Sequence, residues 1–219
     1  EQLKSLGPTN LMVRSQRPPQ TSASSQGSRN QAFAYGLTYT DAERIRALIP
    51  HAEHIVRIRE TPQSLRRGFL WANSIVVGTD PDYLKVMRLK MASGRWLSPL
   101  DSDQRQNAAV LGAQLAATLF PVSNPIGESV QAGNTRFTVV GLLENMGRSA
   151  SPGGMALDQC IFVPLTTSRA RYGDEIRRRS TGSSERTRIE LHEIKLKMSS
   201  TNDVVPTSLL LSNLLDIGI

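Results

Sequence analysis

Residues 108–143 read AAVLGAQLAATLFPVSNPIGESVQAGNTRFTVVGLL, and the order of their elements decides the fold class. The apolar quartet Ala108–Leu111 predicts a short buried strand. Gly112 breaks it, and Leu115, Ala116 and Leu119 recur at helical spacing, so 112–120 reads as a small helix. Pro125-Ile126-Gly127 is a turn signal. Ser129–Ala132 and Thr135–Leu143 then flank Gly133-Asn134, the two-residue loop of a primed-turn hairpin. Strand, helix and hairpin in so short a span predict an α+β fold.

The pattern extends toward the C-terminus. Gly147–Ala156 reads as a Gly/Ser/Pro loop, Gln159–Val163 as a strand ended by Pro164, and Leu165–Tyr172 as a helix. Ser180–Ser184 reads as polar linker. In Ile189–Met198, Ile194, Leu196 and Met198 alternate with Lys195 and Lys197, and His192 shares the apolar parity. Asn202 or Asp203 can cap a last helix reaching Leu215, with Pro206 in its first turns and Leu210, Leu211, Leu214 and Leu215 as its apolar face.

On the N-terminal side, Asn73–Gly78 carries Ile75-Val76-Val77, a buried strand. Asp80 can cap a helix with Pro81 in its first position and Tyr83, Val86, Met87 and Lys90 on its inner side. Gly94-Arg95-Trp96-Leu97 ends that helix and leads to Asp101 and Asp103, with Trp96 as a packed anchor. Glu1–Leu6 reads as a last helical turn capped by Gly7 and stopped by Pro8. Asn10–Arg14 reads as a strand and Ser15–Gln31 as a polar, mobile loop. Thr40-Asp41-Ala42-Glu43 has capping-box spacing ahead of Ala42, Ile45, Leu48 and Ile49. Val56 and Ile58 alternate with Arg57 and Arg59, as in a strand exposed on one face. Residues 189–215 thus repeat the strand-then-helix order of 10–49, and a closing strand is expected beyond Ile219.

With 219 residues the chain can build one large domain or two small ones. Aromatic residues are 5% of it, so the core is expected to be aliphatic. No apolar run approaches the roughly 18 residues of a membrane-spanning helix. The formal charge is +7, carried mostly by arginine and densest between Arg169 and Arg188. Only Tyr172 interleaves that cluster, and no nucleic-acid motif accompanies it, so a solvated basic loop or a protein- or membrane-facing patch is expected rather than nucleic acid. The single cysteine, Cys160, excludes an intramolecular disulfide and reads as a small buried hydrophobe beside Ile161, Phe162 and Val163.

Chemistry-bearing patterns are thin. There is no Gly-Lys pair to cradle phosphates and no Gly-x-Ser-x-Gly elbow. His51 and His54 have a spacing a metal could use but lack a third ligand. Asp80/Asp82 and Asp101/Asp103 read as caps and turn formers. No catalytic, cofactor or metal residue is assigned, and no cofactor is expected in this chain. The candidate partner contacts are Arg177, Arg178 and Arg179 in the basic stretch, with Trp71.

In order and spacing these blocks resemble the periplasmic core domain of MacB-like ABC permeases, which include macrolide and lipoprotein exporters and FtsX-related permeases. The resemblance rests on Leu6-Gly7-Pro8-Thr9-Asn10, Leu37-Thr38 with Asp41 and Ile45, Val77-Gly78-Thr79 with Tyr83, and Gly94-Arg95-Trp96-Leu97 with Asp101. It continues through Ala109-Val110-Leu111-Gly112 with Ala116, Leu119-Phe120, Pro125-Ile126-Gly127, Phe137–Gly141, and Asp158 with Phe162-Val163-Pro164-Leu165. The stretches 15–31 and 169–188 do not map onto it.

The resemblance implies a porter-like subdomain of strand-helix-strand units, residues 1–70 and 159–219, and an inserted mixed α/β sabre-like subdomain, residues 71–158. It further implies an extracytoplasmic, non-enzymatic domain of a homodimeric permease, with one membrane helix before Glu1 and three after Ile219. An ABC ATPase, on the same or another chain, would drive the membrane stalk, and the domain would pass that motion to a periplasmic adaptor, lipoprotein, peptide or drug. Three rivals are a permease domain regulating a cell-wall hydrolase, a free-standing basic binding module, and a hydrolase using His51, His54, Asp101 or Asp103.

Overall fold

A computed structural model describes residues 2–5, 9–15, 33–34, 36–49, 52–146, 156–180 and 183–214. The first half runs β1 (Gln2–Ser5), β2 (Asn10–Arg14), β3 (Phe33–Ala34), α1 (Tyr39–Leu48), β4 (Ala52–Arg67), β5 (Leu70–Thr79), α2 (Tyr83–Val86), β6 (Met91–Gly94) and α3 (Pro99–Asp103). The second runs β7 (Ala108–Leu111), α4 (Ala113–Leu119), β8 (Ser129–Ala132), β9 (Thr135–Leu143), β10 (Ile161–Pro164) and α5 (Leu165–Tyr172). It ends with β11 (Glu175–Ser180), β12 (Ser183–Arg188), β13 (Glu193–Met198) and α6 (Val204–Leu214). Two compact units divide the chain: residues 56–173, and residues 1–55 with 174–219.

The unit formed by 56–173 is a small barrel. β4 pairs β5, β5 pairs β10, β10 pairs β7, β7 pairs β9, β9 pairs β8, and β8 returns to β4, so the ring of strands closes. Alternation sorts the side chains. Leu65, Val76, Ala109, Leu111, Val130, Phe137, Val139 and Ile161 turn inward, and Leu115, Leu119 and Phe120 of the α4 region pack with them. Ile75, Val77, Val110 and Phe162 turn outward and are covered by Tyr83, Val86, Leu89 and Leu97. Both faces are therefore apolar where α2 and its flanks lie. The predicted helix 112–120 and hairpin 129–143 appear as α4 and β8–β9, and Gly133 has φ 57 while Asn134 does not go positive, the sign pattern of a II′ loop.

The other unit is built on β2, flanked by β1 and β13, both antiparallel to it. Leu11, Val13, Ile194, Leu196, Met198 and Leu211 of α6 are buried. A second sheet, β11–β12–β3, has three strands. Ser15 Oγ joins segments distant in sequence, donating to the Leu191 carbonyl and accepting from the Leu37 amide, each at 2.8 Å.

Several local expectations are corrected. Gln2–Ser5 is a strand, because pairing with β2 outweighs the helical reading of four residues; the cap at Gly7 lies outside the described residues, as do the loops within 16–32 and 147–155. α1 starts two residues earlier than Thr40 suggested: Thr38 is the cap, exchanging bonds with Asp41 at 3.1 and 2.9 Å. Asp80 caps no helix; its carboxylate binds the Arg57 guanidinium at 2.8 and 2.9 Å, and Leu89 rather than Lys90 is buried. β4 is not exposed along one face: Arg59 is wholly buried, donating to the Gly173 carbonyl at the end of α5. In β13 the polar parity is buried as well, since Lys195 and Glu193 pair at 3.4 Å with Arg14 alongside. The basic linker is the hairpin β11–β12. On α6 Leu211 is buried, whereas Leu210 is 58% exposed, and Leu215 lies outside the described residues.

The β4–β5 hairpin, β10 and α5 thus pack in the barrel unit, whereas the porter-like and sabre-like limits expected from the family run at 70/71 and 158/159.

Candidate interaction surface

β4 and β5 are joined by only Gly68 and Phe69, with Arg67 opposite Leu70 across the ladder. Gly68 takes φ 58, the left-handed conformation that a tight two-residue loop needs. This puts Phe69 at the tip, fully exposed, followed by Leu70 at 40% and Trp71 at 62% exposure. Arg67 anchors the hairpin: its guanidinium lies 4.2 Å from the Phe120 ring centroid, donates to the Leu119 carbonyl at 3.3 Å and faces Glu128 at 3.8 Å. Trp71 is therefore the exposed aromatic that the sequence marked. Phe69 and Leu70 were missed, although Gly68 between two strand patterns, followed by three apolar residues, was a legible signal.

Arg177, Arg178 and Arg179 occupy successive positions of β11, opposite Arg186, Glu185 and Ser184 of β12. They belong to the other unit from Trp71.

Of the residues weighed for catalysis, Asp101 has a clear role in the fold. Asp101 is buried at the start of α3, closing a capping box with Ser98 and accepting from both Arg95 terminal nitrogens at 2.6 and 3.0 Å. Those Arg95 bonds outweigh burial and, with Ser98, hold its pKa down at about 2. Asp82 pairs with Lys85 at 3.1 Å. His54 stands 3.8 Å from Glu53, His51 lies outside the described residues, and among those described no group of three metal-ligating side chains forms. Cys160 is fully buried, and burial pushes its thiol up to about 12, which makes it inert at neutral pH. Trp96 is the packed anchor expected, stacked on Tyr83 with 6.2 Å between centroids and donating to the Pro81 carbonyl at 2.8 Å. A shallow apolar cleft of about 450 Å³ opens between α4 and the end of β9, lined by Ala113, Ala117, Phe120, Pro125 and Leu142.

The fold and its exposed aromatic tip can be set beside known proteins. The family description "MacB-like periplasmic core domain" matches residues 1–207. The chain belongs to this family. Among relatives, the MacB-like domain is similar to the macrolide export ATP-binding/permease protein MacB of Rhodospirillum rubrum, 31% identical over 170 residues, covering 77% of this chain and 25% of that protein. It is also similar to the pyoverdine export ATP-binding/permease protein PvdT of Pseudomonas aeruginosa, 25% identical over 144 residues, covering 66% of this chain and 21% of that protein. The chain thus spans about a quarter of the length of these relatives. The fold is shared with the periplasmic region of MacB from Actinobacillus actinomycetemcomitans, with a TM-score of 0.66 at 19% identity over 94% of this chain and 84% of that one. It is shared too with the extracellular domain of the transporter YknZ from Gram-positive bacteria, with a TM-score of 0.61 at 17% identity over 81% and 83%. The MacB-like domain is extracytoplasmic, and its mixed, strand-dominated architecture is the one these regions share.

Proposed function

We propose that this domain belongs to an ABC-transporter permease for export and transmits ATP-driven motion of the membrane stalk to a periplasmic partner or substrate. The observation that carries the reading is the family match across residues 1–207. ATP hydrolysis belongs to a separate cytoplasmic domain or subunit. The permease works as a dimer, each copy presenting this domain to an adaptor, a lipoprotein, a peptide or an exported small molecule. In this scheme 1–70 with 159–219 act as the porter-like part and 71–158 as the sabre-like part. Arg177, Arg178, Arg179 and Trp71 are the partner contacts.

The reading frame on both sides of the chain gives the first test. An apolar run of about 20 residues before Glu1 and three after Ile219 are expected. Reconstituting that permease with its ATPase then tests the mechanism. Cross-linking the two copies of this domain should stop export while ATP hydrolysis continues. Polar flanks, or export that survives the cross-link, would remove the stalk mechanism.

A further inference from the structure

Two loops meet at one end of the barrel unit, and Arg67 is where they touch. It is the last ladder residue of β4, and its contacts with Leu119, Phe120 and Glu128 tie the β4–β5 hairpin to the segment that follows α4. Phe69 stands two residues beyond Arg67, and Val122 stands two residues beyond Phe120. Both therefore lie beside this one contact, at the same end of the ring. Phe69 is fully exposed and Val122 is 97% exposed, with Leu70 and Trp71 extending the apolar apex of the hairpin.

The chemistry of the hairpin changes with distance from that apex. Phe69 and Leu70 come first. Trp71 and Arg66 are directly opposed on the ladder and share a face, about 7 Å behind Phe69 at the usual strand rise. Ser64 and Asn73, opposed and exposed on the same face, come next. This order follows the boundary of a bilayer: acyl chains, then the headgroup level where indoles and guanidinia settle, then water. The depth agrees too, since interfacial segments are buried by about 5–10 Å.

Charge points the same way. Residues 64–73 contain no acid, and 119–130 contain Glu128 alone, which faces Arg67. Arg66 is exposed and, among the described residues, holds no ion pair or hydrogen bond. This end of the barrel thus offers a cation to an anionic surface. The ladder is paired as far as Arg67 and Leu70, so shallow entry leaves just the backbone groups of Gly68 and Phe69 to headgroup water. A protein partner would need a pocket for a convex apex and directional bonds around it, and from Gly68 to Trp71 the side chains supply a single donor, the indole N–H. A fluid bilayer imposes neither demand and accepts two separate tips at once.

We infer that the β4–β5 apex, Phe69-Leu70-Trp71 with Arg66, seats together with Val122 on the anionic phospholipid bilayer that carries the permease. The apolar side chains enter the interface, and the Arg66 guanidinium meets lipid phosphates. This rests on the domain being the extracytoplasmic part of a membrane permease, and for Trp71 it names the partner as lipid.

The test uses the full-length permease in its native membrane, with a photo-reactive phenylalanine analogue at position 69 and, in separate preparations, at 122 and at 64. Illumination should attach phospholipid at 69 and 122 but not at 64, as read by mass spectrometry. Leu70→Ser with Trp71→Ser should cut the lipid adduct at 69 about fivefold or more. In reconstituted vesicles the adduct should rise when phosphatidylglycerol replaces part of the phosphatidylcholine, and Arg66→Glu should abolish that rise. All three substituted side chains are exposed, so the variants should melt within about 3 °C of the original, which separates lost insertion from lost folding. An adduct at 69 with another protein or with a second copy would make the apex a protein contact and overturn the inference. So would no lipid adduct, equal adducts at 69 and 64, or a yield indifferent to the serine pair or to Arg66→Glu. Alkaline carbonate extraction of the same membranes keeps the two readings apart. A chain that stays integral without a lipid adduct at 69 sinks the apex alone, whereas a chain washed free sinks the permease reading.

Discussion

Asp101 accepts four hydrogen bonds, from the Ser98 amide and hydroxyl and from two Arg95 nitrogens. Its carboxylate is held at about 2, below its ordinary value near 3.8, so its contribution to stability is complete above pH 4 and is lost as pH falls toward 2. Arg95 is half exposed, which screens the pair, so Asp101→Asn should cost about 1–2 kcal/mol at pH 7, or about 2–8 °C in Tm. Melts followed by circular dichroism should show this gap closing by pH 2; a gap independent of pH would mean that the charge is not its cause. Gly141 is a second single-residue constraint. It faces Gly94 across β6 and β9, and a Cβ on it would overlap the Arg95 carbonyl. Gly141→Ala should therefore destabilise by about 1–3 kcal/mol, read from urea midpoints, even though the residue is in a strand rather than a turn. From sequence it lay inside the strand 135–143 with no such constraint visible, because the approach of β6 is a tertiary event.

Helix α6 shows how an element's apolar face is chosen by what it packs against. Four leucines were legible as a stripe, yet its packing toward β2 buries Leu211 completely and leaves Leu209 and Leu210 more than half exposed. Leu211→Ala should cost about 2–4 kcal/mol and Leu210→Ala less than about 0.5 kcal/mol in parallel denaturant titrations. Equal losses would place the helix differently. Hairpins divide the same way. β8–β9 was readable because Gly133-Asn134 specifies its own loop. The β4–β5 hairpin was only half seen, since the reading of β4 stopped at Arg59, and β11–β12 was missed because its alternation is between polar residues and leaves no period to read.

At the scale of the molecule, residues 56–173 form a continuous stretch with a closed ring of strands and both main apolar clusters. This stretch, expressed alone, should fold cooperatively, with dispersed amide resonances and one thermal transition. A broad, non-cooperative melt would show that the barrel depends on the rest of the chain. The other unit draws on both ends of the sequence, so neither 1–55 nor 174–219 should fold alone.

By itself the sequence determined the local vocabulary: the α4 helix, the β8–β9 hairpin, the packed Trp96, the inert Cys160, and an order of blocks specific enough to mark the family. These depend on periodicity, turn chemistry and near neighbours, which a linear reading contains. Only the tertiary structure decided which face each element buries, that β8 returns to β4 and closes a barrel, and that Arg59, Glu193 and Lys195 are interior. It also decided which arginines are spent on the fold, among them Arg57, Arg67 and Arg95. Those outcomes depend on pairs of residues far apart in the chain, where burial and partnered charge are settled by which strands meet.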